Sequence, residues 1–486
     1  MNIAIIHYHL RSGGVSSVLR SQADALRRHA PWHRVVVLSG SEAAEAFPAP
    51  IKLVRNLDYA LVATGSAAPS AEGLAAAMEH ALDEAFPDGC DVLHVHNPLI
   101  RKNAVFLGAL GLLKSRGRHL LVQVHDLAED FRPDVFDAAV PYPENCSYAA
   151  INSRDRSHLI ASGLGDSHVH LLPNPVGLPE RFDVRAGWSE ESRRGRTIAL
   201  YPVRAIRRKN LGEALLLSRF LPEGAELAVT LPPTSERDLP GYRSWKSMAS
   251  RLAPRLRFEA GLHASLGELY EKAFCVVTTS VKEGFGFSFL DPIARGIPVV
   301  GREIPYVIGD FRAHGIRLPN LYHEIRLPRL ALPEAELRTA VARRIDSFRK
   351  AYATAWTDGG SPAGPTLDEV LARLEARFEA EYLDFGSLDE SLQQAVLRRL
   401  DVDAALEADL RALNPFLDAL FIPGLPESEA AEGREALARF YSAEAYARSL
   451  DGAYTDAMSD GAKGRIDRRA LLERCLVAPS FFLSAS

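Results

Sequence analysis

Cysteine is scarce: the chain has four in 486 residues, at positions 90, 146, 275 and 475, with no CxxC spacing. So few and so scattered, they exclude a disulfide framework and a cysteine-built zinc site, and a reduced, cytoplasmic setting is expected. Long hydrophobic runs are missing too. The longest apolar stretch, residues 105–113, is about half of what a bilayer-spanning helix requires, so no transmembrane segment is expected. The opening Met-Asn-Ile-Ala-Ile-Ile-His lacks the basic region and cleavage site of a signal peptide and reads as a buried strand. Nor is there an excess of positive charge. With 57 Lys+Arg against 62 Asp+Glu and a formal net charge of −5, no global field for non-specific nucleic-acid binding exists, so any anion site must be local.

What is present is an ordinary globular composition, 47% hydrophobic and 24% charged, which excludes whole-chain disorder. The length exceeds what one core supports, so two domains and an appendage are expected. Short runs rich in Val, Ile and Leu at 3–7, 34–38, 92–95, 120–124 and 148–151 alternate with helical patterns, the first at 15–28. Such runs read as strands buried on both faces, hence a parallel sheet with crossover helices and an α/β class. A charged stretch, 177–196, reads as a linker. A second series of strands follows at 197–202, 226–230, 256–259, 275–279 and 298–301. Beyond a Gly/Ser/Pro-rich joint at 358–365, amphipathic helices are expected at 367–382, 388–400 and 430–450, without internal repeats. The chain therefore divides into Rossmann-like domains over 1–176 and 197–345 and a helical extension over 366–486, through which an oligomer can form.

Four clusters carry the chemistry. Ser12-Gly13-Gly14-Val15 follows the first strand and opens a helix, where backbone N–H groups and the helix dipole favour an anion, although a plain turn explains the glycines equally well. It is not GxGxxG, and no acid stands ready for a ribose after strand two, which weakens a dinucleotide reading. His125-Asp126 follows the run 120–124 and so lies at the C-terminal edge of the sheet, where open α/β folds bind ligands. His94 and His96 end the neighbouring strand on one face; zinc is the competing reading, but no second ligand pair exists, and a hydrogen-bonded structural role suits His94 best. Next, Tyr201-Pro-Val-Arg204-Ala-Ile-Arg-Arg-Lys209-Asn210 puts a basic cluster at a strand end, suited to a diphosphate. Most specific is Lys282-Glu283-Gly284-Phe285-Gly286-Phe-Ser-Phe-Leu-Asp291, followed by Gly-Ile-Pro-Val-Val. Seven residues separate its two acids, which places Glu283 in a loop and Asp291 in the first turns of the next helix.

Over roughly its first two thirds the chain resembles the GT-B-fold retaining glycosyltransferases of the large sucrose synthase and mannosyltransferase-like family. The likeness rests on the acid, seven residues, acid element, on Gly13-Gly14, His94-Val-His96-Asn97, His125-Asp126, Leu172-Pro-Asn-Pro175, and Arg204 with Lys209. It implies a fold of two facing Rossmann-like domains that moves a hexose from a UDP-, GDP- or ADP-sugar to an acceptor hydroxyl. Arg204 and Lys209 would hold the diphosphate in place of a metal, so no cofactor is implied. Glu283 and His125 would contact the sugar, Asp291 the ribose, and Gly13, Gly14, Gly284, Phe285 and Gly286 would complete the donor site. Asn97, Arg101 and Lys102 are the acceptor candidates. The family usually has Glu where Asp291 stands, and it assigns no role to the helical tail. Closure is expected about a hinge at 174–196. A nucleotide-sugar epimerase or hydrolase, a phosphorylase, and a non-catalytic binding protein are the competing readings, and retention by a same-face route or by double displacement stays open.

Overall fold

The structure, a computed structural model, describes residues 1–11, 13–59, 70–178, 195–357, 365–422, 424–459, 463–477 and 483. The expected linker and joint lie largely outside the described residues. The chain forms two compact units, one of residues 1–177, 351–364 and 438–478, the other of 178–350, 365–437 and 479–486.

The first unit holds a seven-stranded sheet of β1 (Asn2–His7), β2 (Arg34–Ser39), β3 (Ile51–Leu53), β4 (Val92–His96), β5 (Leu120–Val124), β6 (Ser147–Ala150) and β7 (Val169–Leu171), in the order β3-β2-β1-β4-β5-β6-β7. Every pairing is parallel. Each residue of β4, β5 and β6 is buried, as the unbroken apolar runs require. Helix Gly14–His29 covers one face with Val18, Leu19, Gln22, Ala23 and Leu26.

The second unit holds six parallel strands, β8 (Ile198–Arg204), β9 (Glu226–Leu231), β10 (Leu256–Arg257), β11 (Ala273–Thr278), β12 (Val299–Arg302) and β13 (Leu321–Tyr322), in the order β10-β9-β8-β11-β12-β13. In both sheets the order reverses beside the first strand of the unit, between β1 and β4 and between β8 and β11. A doubly wound sheet opens a ligand crevice at the carboxyl ends of such strands, and the clusters singled out in the sequence lie there.

The helices expected over 366–486 do not form a separate body. Helix Leu367–Ala376 and helices Glu390–Leu400 and Ala404–Leu413 belong to the second unit, whereas helix Ala443–Met458 belongs to the first. The reason is its apolar stripe: Tyr446, Ala447, Leu450, Ala453, Tyr454 and Ala457 share a core with Ile3, Ile5, Val92, Leu121 and Ala149. The helix expected over 430–450 is really two, Glu427–Phe440 and Ala443–Met458, because the Ser442 side chain accepts from the Ala445 N–H and restarts the chain as an N-cap. Among the described residues no helix is long and apolar enough to cross a membrane.

Gly301 in β12 pairs with Thr278 in β11 at φ 130°. A Cβ there would lie 1.9 Å from the Thr278 carbonyl oxygen. Gly301→Ala is therefore expected to cost about 3 kcal/mol of unfolding free energy in urea titration. An unchanged midpoint would contradict this packing.

Candidate functional site

In the second unit, two loops at the carboxyl edge of β8 and β11 are pinned to each other from below. The Tyr201 hydroxyl donates to the Lys209 carbonyl at 2.6 Å, the Thr279 hydroxyl reaches the carbonyls of Lys209 and Asn210 at 3.0 and 3.1 Å, and the Val281 N–H donates to the Arg208 carbonyl at 3.0 Å. Tyr306 closes the other side, its hydroxyl donating to the Glu283 carbonyl at 2.6 Å. All of these anchors use main-chain atoms, so the side chains of Lys209, Arg208 and Glu283 are left to meet at the edge.

They do meet. Lys209 ion-pairs with one oxygen of Glu283, and Arg208 donates to the other at 2.7 Å while also reaching the Lys282 carbonyl at 2.7 Å. Glu283 and Lys209 are 7% and 9% exposed, so this charge is held away from water. Burial pushes the Glu283 carboxyl up, but Lys209 and Arg208 outweigh it and bring it down to about 2. Burial also lowers the Lys209 ammonium to about 8, with Arg208 adding to the fall and Glu283 opposing it. One partner gains from the pairing what the other loses to desolvation, so the pair adds little net stability, as buried ion pairs generally do.

Gly286 caps helix Phe287–Ala294 at φ 98°, and a Cβ there would lie 2.7 Å from Val307, so the turn needs glycine. Gly284 sits within the same turn. Phe285 is buried, edge-on to Phe287 at 4.9 Å and near Phe311, and so shapes the loop from its apolar side. Asp291 lies in the second turn of that helix, half-buried. Burial raises its carboxyl to about 6, with Arg295 opposing. A raised carboxyl is stabilising below its unfolded pKa and becomes a cost as pH rises through about 6. Asp291→Asn is thus expected to raise the melting temperature by about 2 °C at pH 8 and not at pH 4. Equal gains at both pH values would contradict it.

Arg204 ends β8 and donates to the Pro232 carbonyl at 3.1 Å. The cations brought to Glu283 are Lys209 and Arg208. Arg208 escaped selection because it lies inside a basic run in which sequence alone favours no member.

In the first unit, Gly13 is the N-cap of helix Gly14–His29 in an extended conformation open to any residue, and a Cβ on Gly14 would meet nothing within 4 Å. Ser12 lies outside the described residues. His94 is satisfied within the protein: Gln123 accepts from its Nε2 at 2.8 Å, and Gln22 and the Tyr454 hydroxyl lie 2.7 and 3.0 Å from its Nδ1. His96 stacks on it and meets His125, Nδ1 to Nε2, at 3.0 Å. Burial lowers His94 to about 3 and His125 to about 4, and depresses His96 well below the usual range, so all three are neutral at physiological pH. His7, at the end of β1, joins them through the His96 carbonyl at 3.1 Å. Asn97 braces the edge, its Oδ1 accepting from the N–H groups of His125 and Asp126 at 3.2 and 3.0 Å. Arg101 pairs with Asp137 at 2.7 Å, and Lys102 is exposed. Among the described residues no group of three or more His, Cys, Asp or Glu side chains is arranged to hold a metal ion.

No protein-family profile matches the chain. Mannosylglucosyl-3-phosphoglycerate synthase of Petrotoga mobilis is 23% identical over 345 residues, 64% of this chain and 66% of that protein. The UDP-N-acetylglucosamine–peptide N-acetylglucosaminyltransferase GtfA subunit of Streptococcus parasanguinis is 24% identical over 165 residues, 32% of this chain and 31% of its own. The chain thus spans just under two thirds of the first relative's length and about a third of the second's. Among solved structures, Anabaena HepE, crystallised with UDP and glucose, superposes with a TM-score of 0.52 at 12% identity, covering 94% of this chain and 100% of HepE. A glycosyltransferase of Rickettsia africae gives 0.52 at 11% identity, covering 95% and 99%. With its seven- and six-stranded parallel sheets in two units, the chain has the GT-B fold, and the proteins that resemble it in sequence and in structure are glycosyltransferases.

Proposed function

We propose that this chain is an enzyme, a retaining glycosyltransferase of the sucrose synthase and mannosyltransferase-like family, which moves a hexose from a UDP-, GDP- or ADP-sugar to an acceptor hydroxyl without a metal ion. The observation that carries this reading is Glu283 held between Lys209 and Arg208 at the carboxyl edge of the second sheet. Two cations at a strand edge, Lys209 buried and Arg208 partly exposed, are a fixed electrostatic resource for the charge that develops on a departing diphosphate. When the anion arrives it takes over the cations, and Glu283 is released to accept hydrogen bonds from sugar hydroxyls. Arg204 adds a further cation, Asp291 binds the ribose diol, and the amides of Gly13 and Gly14 and the imidazole of His125 offer donors to phosphate and sugar oxygens. Lys102, with Asn97 and Arg101, serves the acceptor.

In the reaction, the bond between the anomeric carbon and the phosphate oxygen breaks and its electron pair leaves with the nucleoside diphosphate. The acceptor oxygen bonds to the same face, and its proton passes to the departing phosphate oxygen. On this reading the enzyme works in the cytoplasm, where reduced cysteines persist; none of Cys90, Cys146, Cys275 and Cys475 is in a disulfide.

The test is turnover of nucleotide sugars in EDTA, with NMR of the product. An axial donor is expected to give an axial product at an unchanged rate with or without divalent ions. An inverted product, a requirement for a metal, or donor consumption with no acceptor would overturn the reading, the last in favour of an epimerase or hydrolase.

A further inference from the structure

At the edge of the first sheet the hydrogen bonds of the histidine row fix their protons one by one. His94 faces the Oε1 of Gln123 with Nε2, so that nitrogen carries its proton. His7 donates from Nδ1 to the His96 carbonyl. Between His96 Nδ1 and His125 Nε2, 3.0 Å apart, one proton is shared and two arrangements compete. If His125 donates, neutral His96 must carry its proton on Nε2, and that atom is buried without a partner on a residue that is 0% exposed. If His96 donates, Nε2 holds only an unused lone pair. A buried, unpaired N–H is the costlier of the two.

We propose that His96 is a positioning residue: it donates its Nδ1–H to His125 and so locks His125 in the tautomer that carries its proton on Nδ1, ready to donate to a sugar or phosphate oxygen. His125, 6% exposed, makes no other side-chain hydrogen bond among the described residues, and its Nδ1 is not among the buried unpartnered atoms, so that nitrogen faces the solvent side of the edge. The two rings lie edge to edge, their centroids 5.3 Å apart and their planes 25° apart, so the Nδ1–H of His96 points in-plane at Nε2 of His125, which holds the donor direction as well as the proton. A neighbour that fixes tautomer and ring orientation is the usual way an imidazole is prepared for its task. The inference rests on the proposed transfer reaction for its purpose but not for its detection.

The experiment is long-range ¹H–¹⁵N correlation NMR of the histidine-labelled full chain, without substrate, with His125 assigned by its loss in His125→Gln. The expected spectrum shows a protonated, pyrrole-like Nδ1 and a pyridine-like Nε2 for His125, unchanged between pH 6 and 8. His96→Asn, whose amide nitrogen stands where Nδ1 did, should keep that pattern and most of kcat. His96→Asp, which offers only an acceptor, should move the proton to Nε2 and lower kcat by about tenfold or more. An Nε2-protonated His125 in the wild type overturns the inference, as does a His96→Asn variant that loses kcat as far as His96→Asp. Should His96→Asp not fold, the wild-type spectrum and His96→Asn decide. A locked tautomer in a chain that transfers no sugar would contradict the proposed function and leave the tautomer standing.

Discussion

Lys209→Ala is expected to lower kcat/KM by about a thousandfold, the scale on which removal of a single pre-aimed charge-stabilising donor acts. The reason is its placement: the ammonium is 9% exposed, anchored through its own carbonyl by Tyr201 and Thr279, and aimed at Glu283. The protein should still fold, because Arg208 remains on Glu283 at 2.7 Å. The same residue sets the alkaline limb of activity. Its folded pKa, about 8, lies below the unfolded value of 10.5, so the cation is lost as pH rises through about 8. Donor affinity is expected to fall there in the wild type, and Lys209→Arg should carry the limb to much higher pH. A wild-type profile flat to pH 10 would contradict the assignment.

Glu283→Gln is expected to lower kcat by at least about a hundredfold and, separately, to cost about 3 kcal/mol of stability at pH 7, since Lys209 is then buried without its counter-charge. The pH dependence separates the two effects. In the wild type Glu283 is depressed from 4.5 to about 2, so its contribution is present above 4.5 and lost as pH falls toward 2. In Glu283→Gln that acid arm vanishes. The remaining deficit should shrink between pH 7 and 9 as Lys209 gives up its proton. Unfolding in urea at both pH values measures this, and an equal deficit at pH 7 and 9 would contradict it. The double variant Lys209→Met, Glu283→Leu should recover stability without activity, because the pair is balanced in folding and one-sided in function.

The long apolar runs made the parallel strands legible: 120–124 coincides with β5, and the acid, seven residues, acid element places Glu283 in a loop and Asp291 in a helix as its spacing implies. Strands β3, β7 and β13 have three residues or fewer, too short for a period. Choosing among Arg204, Arg207 and Arg208 was beyond any local signal, because what selects Arg208 is a main-chain bond between its carbonyl and Val281, far along the chain. The histidine row is similar. Gln22 and Tyr454, which hold His94, lie 72 and 360 positions away and carry no mark of that role. Helix Ala443–Met458 was visible as amphipathic, but its stripe does not say which sheet it covers.

The most direct test is calorimetric titration of UDP, GDP and ADP into the wild type, Lys209→Ala and Arg208→Ala in EDTA. One nucleotide is expected to bind the wild type without a divalent ion and to bind each variant at least tenfold more weakly. Binding that needs magnesium, or that ignores both substitutions, would contradict the claim that Lys209 and Arg208 hold the diphosphate.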